Sequence, residues 1–171
     1  MDESMPCTRS AVVADLEFLV DMRHRLQSHM KVSAPALFDL APGWRARKRS
    51  FYRACLEEPD RRLVVLCDTG EETILGMGLG SVVENPDLEP ARFGAIDDVW
   101  VEPQWRRRGL GSKIVADLFR FLDRRGVDRL TLSFAIGNVE AESFWTRMGF
   151  QPALVMANGR LGDASSSSVR S

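Results

Sequence analysis

Two neighbouring stretches of this chain carry residues whose types and spacing could do chemistry. The first is Asp97-Asp98, set within Ile96-Asp97-Asp98-Val99-Trp100-Val101. Two acids inside an otherwise apolar run cost free energy unless they are paired or used. A carboxylate in such a place can attract an ammonium group and take its proton, directly or through water. The second stretch is Arg106-Arg107-Arg108-Gly109-Leu110-Gly111-Ser112. Gly109 and Gly111 have no Cβ, so a bulky anion can approach the N–H groups that a helix leaves open in its first turn. The positive end of that helix and the arginines just upstream make an anion cradle suited to phosphate.

Spacing restricts the kind of phosphate ligand. A Walker A loop needs four residues between its first glycine and Gly-Lys-Ser/Thr, and a Rossmann fingerprint needs a third small residue where this chain has Ile114. Neither pattern is met. Arg106-Arg107-Arg108-Gly109-Leu110-Gly111 instead resembles the Gln/Arg-x-x-Gly-x-Gly/Ala signature of the GNAT superfamily of N-acetyltransferases. Further along, Asn138-Val139-Glu140-Ala141-Glu142-Ser143-Phe144-Trp145-Thr146-Arg147-Met148-Gly149-Phe150 resembles that family's Asn-x-x-Ala-x-x-Phe-Tyr-x-x-x-Gly-Phe helix. The two motifs stand in the family's order, with one helix and one strand between them. The resemblance covers roughly Gly94 to Pro152.

The resemblance implies an α/β (α+β) fold, a central mixed, mostly antiparallel twisted sheet splayed between two parallel strands and flanked by about four helices. It implies acetyl-coenzyme A as the acetyl donor, with its pyrophosphate on the backbone of Arg106 through Ser112. It also implies that the pantetheine arm enters the splay beside Val99, Trp100 and Val101, with Asn138, Phe144 and Trp145 contributing from the later helix. Asn138 suits an N-cap equally well, and aromatics at helical spacing, Phe144 and Phe150 included, more often pack in a core. The acid-acid-aromatic strand is similar to that of the family's polyamine acetyltransferases, which makes Asp97 the base and gives Asp98 the acceptor amine to hold. Strand alternation puts the two acids on opposite faces unless a bulge intervenes. The structural alternative has one acid in solvent and the other salt-bridged to an arginine. Trp145 departs from the family's usual tyrosine, whose hydroxyl would protonate the departing thiolate. An indole can donate a hydrogen bond but is no ordinary acid, which leaves water, Ser133 or Ser143.

These residues need elements to position them. Ile96–Val101 reads as a strand closed by Pro103, followed by a helix from Gly109 to about Arg125 with the core stripe Leu110, Ile114, Leu118, Phe121 and Leu122. Lys113, Asp117, Arg120 and Arg124 should face outward, and Gly126 should end the helix. The next strand, Arg129–Phe134, should then lie parallel to the first. Earlier in the chain, a short strand is expected near Met5–Arg9 and an amphipathic helix from Ala11 to about His29, N-capped by Ser10. A second helix over Trp44–Leu56 has a basic face, through Arg45, Arg47, Lys48, Arg49 and Arg53, read as solvated surface in preference to a phosphate or acidic-partner site. Arg62–Cys67 and Thr73–Val83 read as a hairpin, with Gly76, Gly78 and Gly80 on one face leaving room for something close, a packed neighbour in preference to a ligand. Glu84–Arg92 is an acidic loop, and a last strand is expected over Ala153–Ala157.

The 171 residues, 44% of them hydrophobic, suit one domain over residues 1–163, with a disordered serine-rich tail over 164–171. A net charge of −1 argues against nucleic acid as a partner. Three widely spaced cysteines, Cys7, Cys55 and Cys67, suit free thiols in a reducing cytoplasm, and no apolar run is long enough to span a membrane. None of the cysteines adjoins a histidine in the expected site, which disfavours an acyl-enzyme. No metal enters the scheme. A small-molecule amine is the expected partner, and a homodimer is the default assembly for a small enzyme. The reading is therefore an acetyl-CoA-dependent N-acetyltransferase of a small cationic amine, polyamine- or aminoglycoside-like, by direct attack in a ternary complex. The alternatives are acetylation of a protein N-terminus or lysine, and a non-catalytic acetyl-CoA-binding module.

Overall fold

The computed structural model describes residues 6–68, 70 and 73–159. In order these form β1 (Cys7–Ser10), α1 (Leu16–Ser33), α2 (Trp44–Cys55), β2 (Arg61–Cys67), β3 (Ile74–Glu84), β4 (Arg92–Val101), α3 (Leu110–Arg124), β5 (Leu130–Leu132) and α4 (Val139–Arg147). The strands join in the order β1-β2-β3-β4-β5. The first three pairings are antiparallel and β4 runs parallel to β5, as a strand-helix-strand crossover requires. The chain divides into two compact units, residues up to 27 with 40–133, and residues 28–39 with those from 134.

In the first unit, alternation along the strands sorts the side chains into two layers. Leu63, Val65 and Cys67 of β2, Met77 and Leu79 of β3 and Trp100 of β4 form one buried cluster with Leu16, Leu19, Val20 and Met22 of α1 and Tyr52 and Cys55 of α2. The other face receives α3, through the expected stripe of Leu110, Ile114, Leu118, Phe121 and Leu122. Gly76, Gly78 and Gly80 admit that helix. A Cβ on Gly76 would stand 2.6 Å from the Trp100 carbonyl oxygen and 3.1 Å from Ile114, and one on Gly78 would collide with Ile114. The glycines therefore make room for a packed neighbour, and they set how closely α3 lies on the sheet. Gly126, at φ +70°, ends α3 with its N–H on the Asp123 carbonyl, while the Val127 N–H reaches back to Leu122.

Several expectations need correction. Asp117 does not face outward. It is buried, accepts from Thr8 Oγ1 at 3.0 Å and takes both nitrogens of the Arg62 fork, at 2.9 and 3.3 Å. Lys113 is half-buried and donates to the Pro6 carbonyl. Ser10 is the last residue of β1 and caps nothing; its Oγ accepts from Arg62. The helical region opens instead with a 3-10 turn over Val13–Asp15, and Val12 and Val13 stay exposed. Asp15 turns inward because its carboxylate takes the Val12 N–H and the Arg9 guanidinium. β1 begins at Cys7, and Met5 lies outside the described residues. β5 has only three residues, and its ladder with β4 runs from Gly94↔Leu130 to Ile96↔Leu132 and stops there.

In the second unit, Asn138 caps α4, its Oδ1 accepting from the Ala141 N–H at 3.1 Å. Trp145 packs edge-on against Phe144 and Phe150, with ring centroids 4.9 and 5.5 Å away. The Asn158 side chain donates to the Ala36 carbonyl at 3.1 Å. The strand expected over Ala153–Ala157 does not form. Leu154, Val155 and Met156 are exposed in irregular chain, without the ladder partner that a strand needs. The tail at 164–171 lies outside the described residues, and among those described no helix is long and apolar enough to cross a membrane.

Candidate active site

The two acids of β4 share their strand with a bulge. Met77 pairs with Trp100 and Leu79 with Asp97, so Gly78 alone faces the two residues Asp98 and Val99. Asp98 absorbs the extra length at φ +52°, a conformation rare outside glycine. The condition under which both acids could serve one site is therefore met. The last β4–β5 pair is Ile96↔Leu132, so that ladder ends one residue before Asp97 and two before the bulge opens at Asp98.

The acids have different surroundings. Asp98 is almost fully engaged: its Oδ1 meets Arg23 Nε at 2.9 Å, and its Oδ2 meets Lys48 Nζ at 2.8 Å and the Tyr52 hydroxyl at 2.9 Å. Its side chain is only 10% exposed. Tyr52 is buried, and its pKa is raised, first by burial and then by the charge of Asp98, so it stays a neutral donor. Asp97 is exposed and forms no ion pair among the described residues. Its pKa is nonetheless raised, through desolvation by the protein around it and then the negative charge of Asp98, against the pull of Lys48, Arg61 and Arg23. A raised carboxylate is a stronger base once ionised, which suits proton removal.

The basic loop follows β4 through a 3-10 turn over Pro103–Trp105. Gly109, at φ +73°, is the N-cap of α3, and a Cβ built there would meet nothing within 4 Å among the described residues. The first-turn N–H groups are thus approachable, which is the feature a pyrophosphate needs. Two of the three arginines brace the loop. Arg106 donates to the Val101 carbonyl at 3.0 Å and covers the Trp100 ring at 4.4 Å, and Arg108 lies over Trp105 at 4.9 Å. Arg107 is exposed, at φ +59°. The Trp100 and Leu110 side chains belong to the core, so a ligand could meet only their backbone. The Glu102 N–H goes to Leu75 in β3, so strand alternation turns the amide of Val101 towards the edge that β5 has left. Gly111 is half-buried and Ser112 exposed, while Val99 is half-buried after the bulge. Asn138, Phe144 and Trp145 belong to the second unit and Ser133 to the first. Ser133 and Ser143 are exposed.

Arg23, Lys48 and Tyr52 were not among the candidates from sequence. Their signal was faint: Tyr52 is the only tyrosine of the chain, and Lys48 sits among arginines on a face read as solvated. That face in fact divides. Arg45 pairs with Asp21 and Arg49 with Glu17 of α1, whereas Lys48 turns to Asp98. Burial raises the pKa of Cys55 and Cys67, which keeps both thiols neutral and poorly nucleophilic.

Residues 23–150 match the model of the acetyltransferase (GNAT) family, and the chain belongs to that family. A phosphinothricin N-acetyltransferase of Streptomyces coelicolor is 28% identical over 144 residues, which cover 84% of this chain and 80% of that protein. A predicted acetyltransferase from Clostridium acetobutylicum, solved with acetyl-CoA, shares the fold at TM-score 0.73 and 16% identity, over 93% of this chain and 98% of its own. Glucosamine-6-phosphate N-acetyltransferase from Arabidopsis thaliana does so at TM-score 0.64 and 18% identity, over 92% of this chain and 99% of its own. The protein is an acyltransferase that uses acetyl-CoA. Its open glycine N-cap and the end of the β4–β5 ladder beside the two acids fit that molecule.

Proposed function

We propose that the protein transfers an acetyl group to a primary amine of a small molecule by direct attack, with Asp97 as the base. The observation that carries this is the difference between the two acids: Asp97 is accessible and raised in pKa, while Asp98 is occupied. Acetyl-CoA, when bound, supplies the thioester carbonyl on which a C–N bond replaces the C–S bond and from which the thiol departs. Asp97 accepts the proton that the ammonium group loses, directly or through one water. Backbone N–H groups of Gly109 to Ser112 would hold the pyrophosphate, and the Val101 amide, on the open edge of β4, would orient the arm. Asn138, Phe144 and Trp145 keep a proposed place beside that arm. Trp145 offers only an indole donor, so the thiolate's proton comes from water.

Two features weigh against the small cationic acceptor expected from sequence. Asp98 is already neutralised by Arg23 and Lys48. The acidic loop ends at Arg92, five residues along β4 from Asp97, roughly 17 Å at strand spacing. Glu84 pairs with Arg92. A small-molecule acceptor is also what the names of the Streptomyces and Arabidopsis proteins indicate for those enzymes. The test is thiol release from acetyl-CoA across a panel of small amines and peptides, with Asp97→Asn alongside. Acceptor-dependent release lost in the variant, with acetyl-CoA still bound, is the expected result. Undiminished release in Asp97→Asn would remove Asp97 as the base, and activity on peptides alone would replace the small-molecule reading.

A further inference from the structure

The first unit holds a pocket of about 290 Å³ lined by Arg23, Leu40, Trp44, Arg47, Lys48 and Phe51. Its wall is one face of α2, because Trp44, Arg47, Lys48 and Phe51 recur at three- and four-residue steps, and α1 contributes Arg23. Three of the six lining side chains are cations. Arg23 and Lys48 reach Asp98 while lining the pocket, so the pocket and the bulged strand share side chains. Arg47 has no acidic partner among the described residues, and its guanidinium is tethered only to the Pro42 carbonyl, at 3.1 Å. Trp44 and Phe51 give the cavity an aromatic lining, with Lys48 Nζ 4.7 Å from the Phe51 ring.

Charge bookkeeping decides what such a pocket takes. Asp98 offsets one of the three cations, and Asp97 is a second acid within electrostatic reach of Lys48 and Arg23. A polycation entering there would meet Arg47 without compensation and would compete with Lys48 and Arg23 for one carboxylate. A molecule carrying an anionic group beside its amine meets the opposite situation: guanidinium and ammonium donors for the anion, and Asp97 for the ammonium.

Resting on the reading of the protein as an N-acetyltransferase, we infer that its acceptor is a small amine bearing a carboxylate or phosphoryl group, held by Arg47 together with Lys48 and Arg23. The volume, at the small end for ligand pockets, suits a molecule the size of an amino acid or a sugar phosphate. Asp98 then keeps the two shared cations oriented, and the fork of Arg47 distinguishes charged from neutral acceptors.

The experiment has a binding arm and a turnover arm. Glutarate and inorganic phosphate are titrated into the protein by calorimetry, and thiol release is followed with matched pairs: glutamate against glutamine, glucosamine 6-phosphate against glucosamine, and spermidine as the polycation. Wild type, Arg47→Gln and Arg47→Lys are compared. The expected result is saturable binding of at least one anion, at least tenfold weaker in Arg47→Gln and partly restored in Arg47→Lys. The charged member of at least one pair should be preferred at least tenfold in kcat/KM, the Arg47→Gln loss falling on KM. The glutarate and phosphate arms tell a carboxylate site from a phosphoryl site. Equal or better turnover of neutral amines or spermidine overturns the inference and leaves acetyl transfer standing. Anion binding that Arg47→Gln does not weaken also overturns it. Arg47-dependent anion binding with no turnover of any amine upholds the pocket and overturns the enzymatic reading.

Discussion

The glycine loop and the pocket along α2 both present positive charge, by opposite means. The loop does so with backbone, through first-turn N–H groups of α3 behind a glycine whose missing Cβ leaves open space. The pocket does so with side chains drawn from two helices, two of which lean on a carboxylate of β4. The loop is built from contiguous sequence and depends on the absence of atoms. The pocket is assembled from distant positions and depends on charges balancing one another. Substitutions that add bulk should therefore damage the loop, and those that remove charge should damage the pocket.

Substitutions at five positions can break or sharpen that contrast. Asp97→Asn should lower turnover by about 10²–10⁴-fold, the usual worth of a positioned base, with acetyl-CoA affinity kept. Because the folded pKa of Asp97 is raised, its ionised form is disfavoured in the folded state, so the same variant should melt at a higher temperature at neutral pH. In wild type, activity should fall as pH drops through that raised pKa, on an acid limb above the ordinary aspartate value of about 3.9. A limb at or below that value would contradict the assignment. Next in size, Asp98→Asn should cost about 2–3 kcal/mol in urea melts. This is below the full cost of breaking a buried pair, because Arg23 and Lys48 keep 18% and 24% exposure.

The two glycine substitutions provide the sharpest contrast. Gly78→Ala should destabilise by about 1–3 kcal/mol through overpacking against Ile114. Gly109→Ala should cost only about 1–2 kcal/mol, from its left-handed backbone, yet weaken acetyl-CoA binding at least tenfold. If the two variants lose cofactor affinity equally, the loop is not the pyrophosphate cradle. The smallest effect concerns acid stability. Burial alone would raise the pKa of Asp117, but hydrogen bonds and charge from Arg62 outweigh it and the pKa is lowered. Its stabilisation is therefore present above the unfolded value of about 3.9 and lost as pH falls through the lower folded value. Asp117→Asn should flatten the acid end of a stability-against-pH curve.

Legibility followed the same division. Strand, loop, glycines and the α3 stripe depend on short-range order, and Ile96–Val101, Gly109 and Gly126 stand in the structure as the sequence suggests. The room left by Gly76, Gly78 and Gly80 was also readable, since missing side chains in a strand imply something close. Arg23, Lys48 and Tyr52 were not, because one basic or aromatic residue on a helix looks the same whether it meets solvent or a carboxylate 46 residues away, as Tyr52 does. Asp117 failed for a related reason: its partners, Thr8 and Arg62, are 109 and 55 residues distant. The strand expected over Ala153–Ala157 failed because apolar content alone does not supply a ladder.

The hydroxyl of Tyr52 has a practical consequence. It is the only tyrosine in the chain, it is buried, and it donates to the carboxylate that anchors both shared cations of the pocket. Growth on fluorotyrosine would give a protein with a single fluorine resonance, located at that carboxylate. Its chemical shift would report every rearrangement around Asp98 as ligands arrive, without a spectral assignment and without altering another side chain.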